Sequence, residues 1–367
     1  MFNGGAALIG SPRLLRTQHP YISIFSTEDT QMPGTALTRW ARADALTGWK
    51  RTATNLLCCL GTALLIATGG MSAAAAQTSG AFVEYWDSYA NDAGSRQYLV
   101  TVPTSVPSHP PLIVYLHGCT QTAPDAKIGT GWSETAAAAG AIVVYPEQST
   151  AADANRCWRW FDGAHQHRGA GEPSIIAEIT RQVAARWHAD PQRVYVLGAS
   201  AGGYMSSVMG AAYPDLYAAI GVLAGGAYAT GLDLTGAAAY VEMGPRARPM
   251  PVFVLQGTAD TTNPLLMGQI GVRQWLGTND LADDGLPNGS VPPLPASTER
   301  HAATDQAYAY IEEHYIDAVG HPLVDFWLVE GLGHAYPGGD PRGSFTDPRG
   351  PSVTPAALRF FLAHPRP

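Results

Sequence analysis

The chain has 367 residues, 46% of them hydrophobic and only 14% charged, with a formal net charge of −8. That is enough for one large α/β domain or two small ones. The acidic balance offers no basic footprint for nucleic acid, and the low charge with 40 Gly and 28 Pro suits a loop-rich exported enzyme.

In chain order, residues 1–49 form an extension with no assigned role, of the kind an upstream start codon would add; Met32 is an alternative start. Lys50-Arg51, the apolar stretch Leu56 to Ala67 and Ala73-Ala74-Ala75-Ala76 then have the order of a secretory signal peptide. The apolar stretch is short for a bilayer span, which needs about 20 residues. Residues 50–76 are therefore expected to be cleaved after Ala76. This predicts a secreted (extracellular or periplasmic) product with no stable membrane insertion. Residues 77–367 are expected to form a single catalytic domain. Two of the four cysteines, Cys58 and Cys59, would leave with the signal. Cys119 and Cys157 remain, and in an oxidising compartment they are expected to pair. Such a bridge would stabilise the fold by roughly 3–4 kcal/mol in the loop-entropy model. No C-x-x-C or Cys/His cluster suggests a metal, and no cofactor motif stands out.

Short β-rich runs alternate with helix-like stretches along the rest. Strands are expected at Gln97 to Val102, Pro111 to His117, Ala141 to Tyr145, Arg193 to Leu197, Ala218 to Ala224, Pro251 to Gln256 and Asp325 to Val329. Helices are expected from Ser133, as N-cap, to Ala139, from Pro173 to His188, from Tyr204 to Ala212 and from Pro355 to His364. Continuous apolar strands between helices imply a mostly parallel central sheet covered on both faces. Thr278 to Thr304, rich in Pro, Gly, Ser and Asp, reads as an excursion between the last two strands. No linker to a further domain is visible.

The chemistry centres on Gly198-Ala199-Ser200-Ala201-Gly202. A G-x-S-x-G pattern between a strand and a helix holds a serine in a sharp elbow with its hydroxyl exposed. Glycines two residues either side of Ser200 leave room for the neighbouring backbone. A serine nucleophile needs a base, and the base an orienting acid, in the order Ser, Asp or Glu, His on this kind of sheet. Asp260 follows the strand 251–256 and His334 follows the strand 325–329, in that order. His301, His314, His321, Asp215 and Asp233 follow no comparable strand end. The backbone N–H groups of Ala201 and Cys119 are the expected oxyanion donors. The bridge to Cys157 would then clamp the Cys119 loop. His117 reads as a structural residue of that loop. Trp158, Trp160 and Phe161 read equally as core or as a surface for an ester or an apolar polymer. Tyr336, close to His334, is the better pocket candidate.

Leu116 to Gln121, Tyr145-Pro146-Glu147-Gln148, Cys157-Trp158 with Trp160-Phe161, Arg193 to Val196, Gly198 to Gly203, Gly257 to Asp260, Gly333-His334-Ala335 and Asp347 to Pro351 together resemble the poly(3-hydroxybutyrate) depolymerase-type esterases over roughly residues 95–365. The resemblance implies an α/β-hydrolase fold with Ser200 as nucleophile, Asp260 as orienting acid, His334 as base, and backbone donors near Cys119 and Ala201. It implies a polyester or smaller ester as substrate, polyhydroxyalkanoate-type first, with feruloyl or acetyl-xylan esters as the alternative. The family's Trp and Ser after His-Ala are Tyr336 and Pro337 here. A catalytically dead hydrolase fold used for binding is the reading from another class, and an ordered Ser, Asp and His argue against it. Neither composition nor motif indicates an oligomeric state.

The cysteine count yields a direct test. Unfolded protein cleaved at Ala76 should show no thiol before reduction and two after it, measured by titration with a thiol reagent.

Overall fold

The computed structural model describes residues 77–230 and 233–367. The extension 1–49 and the signal segment 50–76 lie outside the described residues. Eleven strands form one sheet. In chain order they are β1 (Gln77–Ser79), β2 (Phe82–Asn91), β3 (Gly94–Pro103), β4 (Leu112–Leu116), β5 (Ile142–Glu147), β6 (Val194–Ala199), β7 (Ala219–Leu223), β8 (Val252–Gly257), β9 (Ser297–His301), β10 (Tyr310–Ile316) and β11 (Pro322–Val329). Their spatial order is β1-β2-β3-β5-β4-β6-β7-β8-β11-β10-β9. The six strands from β5 to β11 run parallel. Antiparallel strands extend both edges.

Alternation along the central strands divides the core in two. Leu112, Val114 and Leu116 of β4 point to one face, Ile113 and Tyr115 to the other. The first face is covered by α3 (Gly171–Trp187), α4 (Ala201–Ala212), α5 (Ala237–Met243) and α6 (Leu265–Asp284). The second is covered by α1 (Ala123–Thr130), α2 (Trp132–Ala138) and α7 (Val353–Ala363). Because both faces are buried, the strands read as unbroken apolar runs, and that is why the sequence reveals them. Among the described residues no helix is long and apolar enough to cross a membrane.

Three expectations change. Ser133 does not cap α2: the helix starts at Trp132 after Gly131 in the left-handed region, and the Ser133 hydroxyl is buried 2.8 Å from the Tyr145 hydroxyl. The stretch from Thr278 is not all excursion, because α6 runs on to Asp284. Its apolar spacing is interrupted by Gln274 and Asn279, which are buried and bond to the backbone of Tyr228 and Met250. The polar segment beyond it forms β9 and β10, a half-exposed antiparallel edge whose alternation is masked by Glu, His and Thr.

Sheet order places the site. From β4 the chain moves outward to β5, then returns past β4 to β6. Loops leaving β4 and β6 therefore diverge, opening a crevice at the carboxyl ends of these two strands. The turn after β6 is jammed against β4. A Cβ at Gly202 would sit 1.9 Å from the Leu116 carbonyl oxygen, and one at Gly198 would sit 2.4 Å from it. No side chain fits there.

Gly202→Ala should therefore lower stability by at least about 3 kcal/mol or prevent folding, as large backbone clashes do. Urea unfolding checks this; an unchanged midpoint would contradict the packing described.

Candidate active site

Ser200 is the residue on which β6 turns into α4. Its φ of 56° and ψ of −121° are strained for a side chain with a Cβ. The strain is held by two bonds: the Ser200 N–H donates to the Leu223 carbonyl at 2.9 Å, and the Ser200 carbonyl accepts the Tyr204 N–H at 3.1 Å. The side chain is thus presented at the mouth of the crevice instead of folding into the helix.

Asp260 and His334 come from the loops after β8 and β11, which are adjacent parallel strands. The two loops are stitched together by Thr258 N–H to the Val329 carbonyl and Ala259 N–H to the Leu332 carbonyl, both 3.0 Å. Asp260 is almost fully buried, and its Oδ2 accepts the His334 Nδ1–H at 2.7 Å. Its other oxygen accepts the N–H groups of Thr262 and Asn263 at 2.9 and 2.8 Å. Gln256 Nε2 donates to Oδ2 at 3.2 Å. A carboxylate so saturated with donors is fixed in orientation, so it holds the imidazole in the tautomer that leaves Nε2 free to accept a proton.

Ser200 and His334 line one cavity of about 190 Å³, with Cys119, Tyr115, Leu255 and Phe345 among the other walls. Neither the Cys119 N–H nor the Ala201 N–H has a backbone acceptor among the described residues. Both are free to bond a developing oxyanion.

The Cys119 loop is braced at every residue. Gly118 N–H donates to Gln121 Oε1 at 2.8 Å, Thr120 N–H to the Asn155 carbonyl at 2.6 Å, and Cys119 is joined to Cys157 by a disulfide. His117 beneath it is buried. Its Nε2 accepts the Gln148 N–H at 3.0 Å, so Nδ1 carries the proton and donates to the Gly118 carbonyl at 2.7 Å. Burial lowers the His117 pKa to about 4, so the ring is neutral and its two bonds are complementary. Gln148 in turn donates to the Cys157 carbonyl at 2.7 Å and accepts from Arg96, which pairs with the buried Glu172 at 2.9 Å.

The aromatic candidates separate. Tyr336 is among the residues that line the cavity. Trp158 does not: it is fully buried and packs on His117, ring centroids 5.7 Å apart. It belongs to the buried cluster on the face that α3 to α6 cover. Trp160 lies outside the cavity as well. It is half-buried and stacks on Tyr204 at 3.7 Å, beside the first turn of α4. Phe345 is the wall residue that sequence gave no hint of. It is 53% exposed, edge-on to His334 at 6.3 Å. Its position depends on a left-handed φ of 53° in a loop of Gly, Ser and Asp, and no residue-type signal announces that. Among the described residues no group of three or more His, Cys, Asp or Glu is placed to hold a metal ion.

Known proteins share this arrangement of chain. A family model described as esterase PHB depolymerase matches residues 96–272. Poly(3-hydroxyalkanoate) depolymerase C of Paucimonas lemoignei is 32% identical over 259 residues, 68% of this chain and 60% of its own length. Feruloyl esterase B of Neurospora crassa is 37% identical over 171 residues, 46% of this chain and 54% of its own. A probable acetylxylan esterase A of Aspergillus fumigatus is 32% identical over 164 residues, 44% of this chain and 43% of its own. The chain thus spans about half the length of these curated relatives, somewhat more of the first. An acetyl xylan esterase from Aspergillus awamori has the same fold, with a TM-score of 0.58, 21% identity, and coverage of 76% of this chain and 99% of that one.

The buried neutral His117 has a pH signature. Its folded pKa of about 4 lies below the ordinary histidine value of 6.5, so protons bind the unfolded chain more readily between those values. Stability from this group is complete above pH 6.5 and is lost as pH falls toward 4, about 3 kcal/mol in all. In denaturant unfolding from pH 7 to 4, His117→Gln should lose less stability than the native protein by about that amount. Parallel curves would refute it.

Proposed function

Because the chain belongs to the poly(3-hydroxybutyrate) depolymerase family of α/β-hydrolase esterases, we propose that it is a secreted serine esterase that cleaves polyhydroxyalkanoate-type esters through an acyl-enzyme. The observation that carries the reading is the alignment of three loops on one cavity, with Asp260 fixed on His334 and Ser200 raised on a strained elbow.

His334 Nε2 takes the proton from Ser200 Oγ as that oxygen bonds to the ester carbonyl carbon. Negative charge on the carbonyl oxygen is met by the N–H groups of Cys119 and Ala201. The proton then passes from His334 to the leaving alcohol as the C–O bond breaks. A water molecule, deprotonated by His334, repeats the sequence on the acyl-serine and frees the acid. Asp260 holds the ring in place throughout and stabilises the imidazolium.

The cavity supports a short acyl group. Its 190 Å³ is well below the roughly 300–1,000 Å³ of pockets that enclose drug-sized ligands. A single hydroxybutyrate unit fits that scale, with the rest of a chain lying across the open mouth. The likeness to poly(3-hydroxyalkanoate) depolymerase C supports the same substrate class. The second reading is an acetyl-xylan or feruloyl esterase, supported by the likenesses to proteins of those names. The signal-like segment at 50–76 supports export.

Two measurements test this. Ser200→Ala should lower kcat on a short p-nitrophenyl ester by about six orders of magnitude and Asp260→Asn by about four, with melting temperatures near native for Ser200→Ala. Retained turnover in Ser200→Ala would end the serine-esterase reading. On a panel of hydroxybutyrate oligomers, methyl ferulate and acetylated xylan, kcat/KM should be highest on the oligomers; a preference for either plant ester would select the second reading.

A further inference from the structure

A second and larger cavity, of about 730 Å³, adjoins the catalytic one. Thr130 lines both. Beside it, Tyr336 faces the catalytic side and Thr354 the far side, and α1 presents Ala126 and Gly129 to the first cavity and Lys127 and Ile128 to the second. Three hydroxyl and carbonyl groups lock this partition. The Thr354 hydroxyl donates to the Thr130 carbonyl at 2.6 Å, so its lone pair accepts from the Tyr336 hydroxyl, also at 2.6 Å. The Tyr336 ring is further held edge-on to Tyr115, centroids 6.5 Å apart. Tyr336 itself is placed by a short parallel bridge, with β12 (Tyr336–Pro337) against β13 (Thr346–Asp347). The Tyr336 N–H donates to the Phe345 carbonyl at 2.7 Å.

The outer cavity has the character of a solvated groove with apolar parts. Glu84 pairs with Lys127 and Asp340 with Arg342 at its sides, and Phe82, Ile128 and Pro355 lie between them. An acyl chain reaching it would find room and apolar contact, and the buried Tyr336 ring stands between with Thr130, Thr354 and the end of α1.

We propose that Tyr336, hydrogen-bonded through Thr354 to Thr130, is the specificity-determining residue that closes the acyl pocket and limits the acyl group to about one short unit. This rests on the esterase reading above. The ring blocks by volume and the hydroxyl relay keeps it from swinging aside. Removing the ring joins the two cavities and admits longer acyl groups.

The test compares kcat/KM on p-nitrophenyl butyrate and p-nitrophenyl octanoate for the native protein, Tyr336→Ala and Tyr336→Leu, each checked for a cooperative melting transition. The native protein should favour butyrate. Tyr336→Ala should raise the octanoate-to-butyrate ratio by at least about tenfold, the scale on which pocket depth discriminates a few methylenes, and Tyr336→Leu by less. Thr354→Val removes the relay without touching the acyl cavity, and should raise the ratio if both Tyr336 variants fail to fold. An unchanged ratio in the folded variants, with esters still cleaved, overturns the partition alone. No turnover of either ester by the native protein overturns the esterase reading and the partition together.

Discussion

The contact between the turn after β6 and the end of β4 governs the rest of the site. Backbone meets backbone there, with the Leu116 carbonyl occupying the space where a Cβ of residue 202 would be. Two results follow from one constraint. The chain cannot enter α4 smoothly, so Ser200 takes a left-handed φ and its side chain is thrust outward. And the loop leaving β4 is brought beside that serine, so Cys119, whose N–H is free, lines the same cavity. Ser200 and the free N–H groups of Cys119 and Ala201 are thus placed by main-chain packing, which reorganises little when charge develops nearby.

The Cys119 loop needs additional restraint, because free N–H groups make a loop prone to turning them toward water or toward each other. The restraint comes from layers of increasing burial. The disulfide to Cys157 closes the outside. His117 and Gln148 connect the loop to β5 and to the Cys157 carbonyl. Arg96 and Glu172 lie at the bottom, where the ion pair is sheltered and its remaining atoms are bonded to Gln148 and to the Arg159 N–H. A buried pair of this kind is weak evidence for stability but strong evidence for a defined geometry, since moving either partner would strand a charge.

Much of this was readable beforehand, and the exceptions share a cause. Ser200, Asp260 and His334 each follow an apolar strand, and strand ends are local signals. The apolar runs of β4 to β8 were plain because both faces of the sheet are covered. What failed depended on partners distant in the chain. Trp158 looked no different from a pocket aromatic until its packing on His117 was known. Gln274 and Asn279 disguised α6 because their acceptors and donors lie on other elements. The hydroxyl of Tyr336 is satisfied by Thr354, and Phe345 owes its place to a backbone angle. Composition records how much aromatic area a segment carries but not which side of a loop it will occupy.

The stitching of the acid and base loops has a consequence for how such a protein can change. β8 and β11 lie side by side, and the bonds from Thr258 to Val329 and from Ala259 to Leu332 fix Asp260 against His334 from below. Everything between them in sequence leaves this pair and returns to it. α6 returns the chain along one face, but the turn after Asp284 and the β9–β10 edge hang beyond the last parallel strand, half in solvent. That edge can be lengthened, shortened or replaced by a foreign hairpin without altering the 2.7 Å bond on which the imidazole depends. New surface could be grafted there while Asp260 and His334 keep their places.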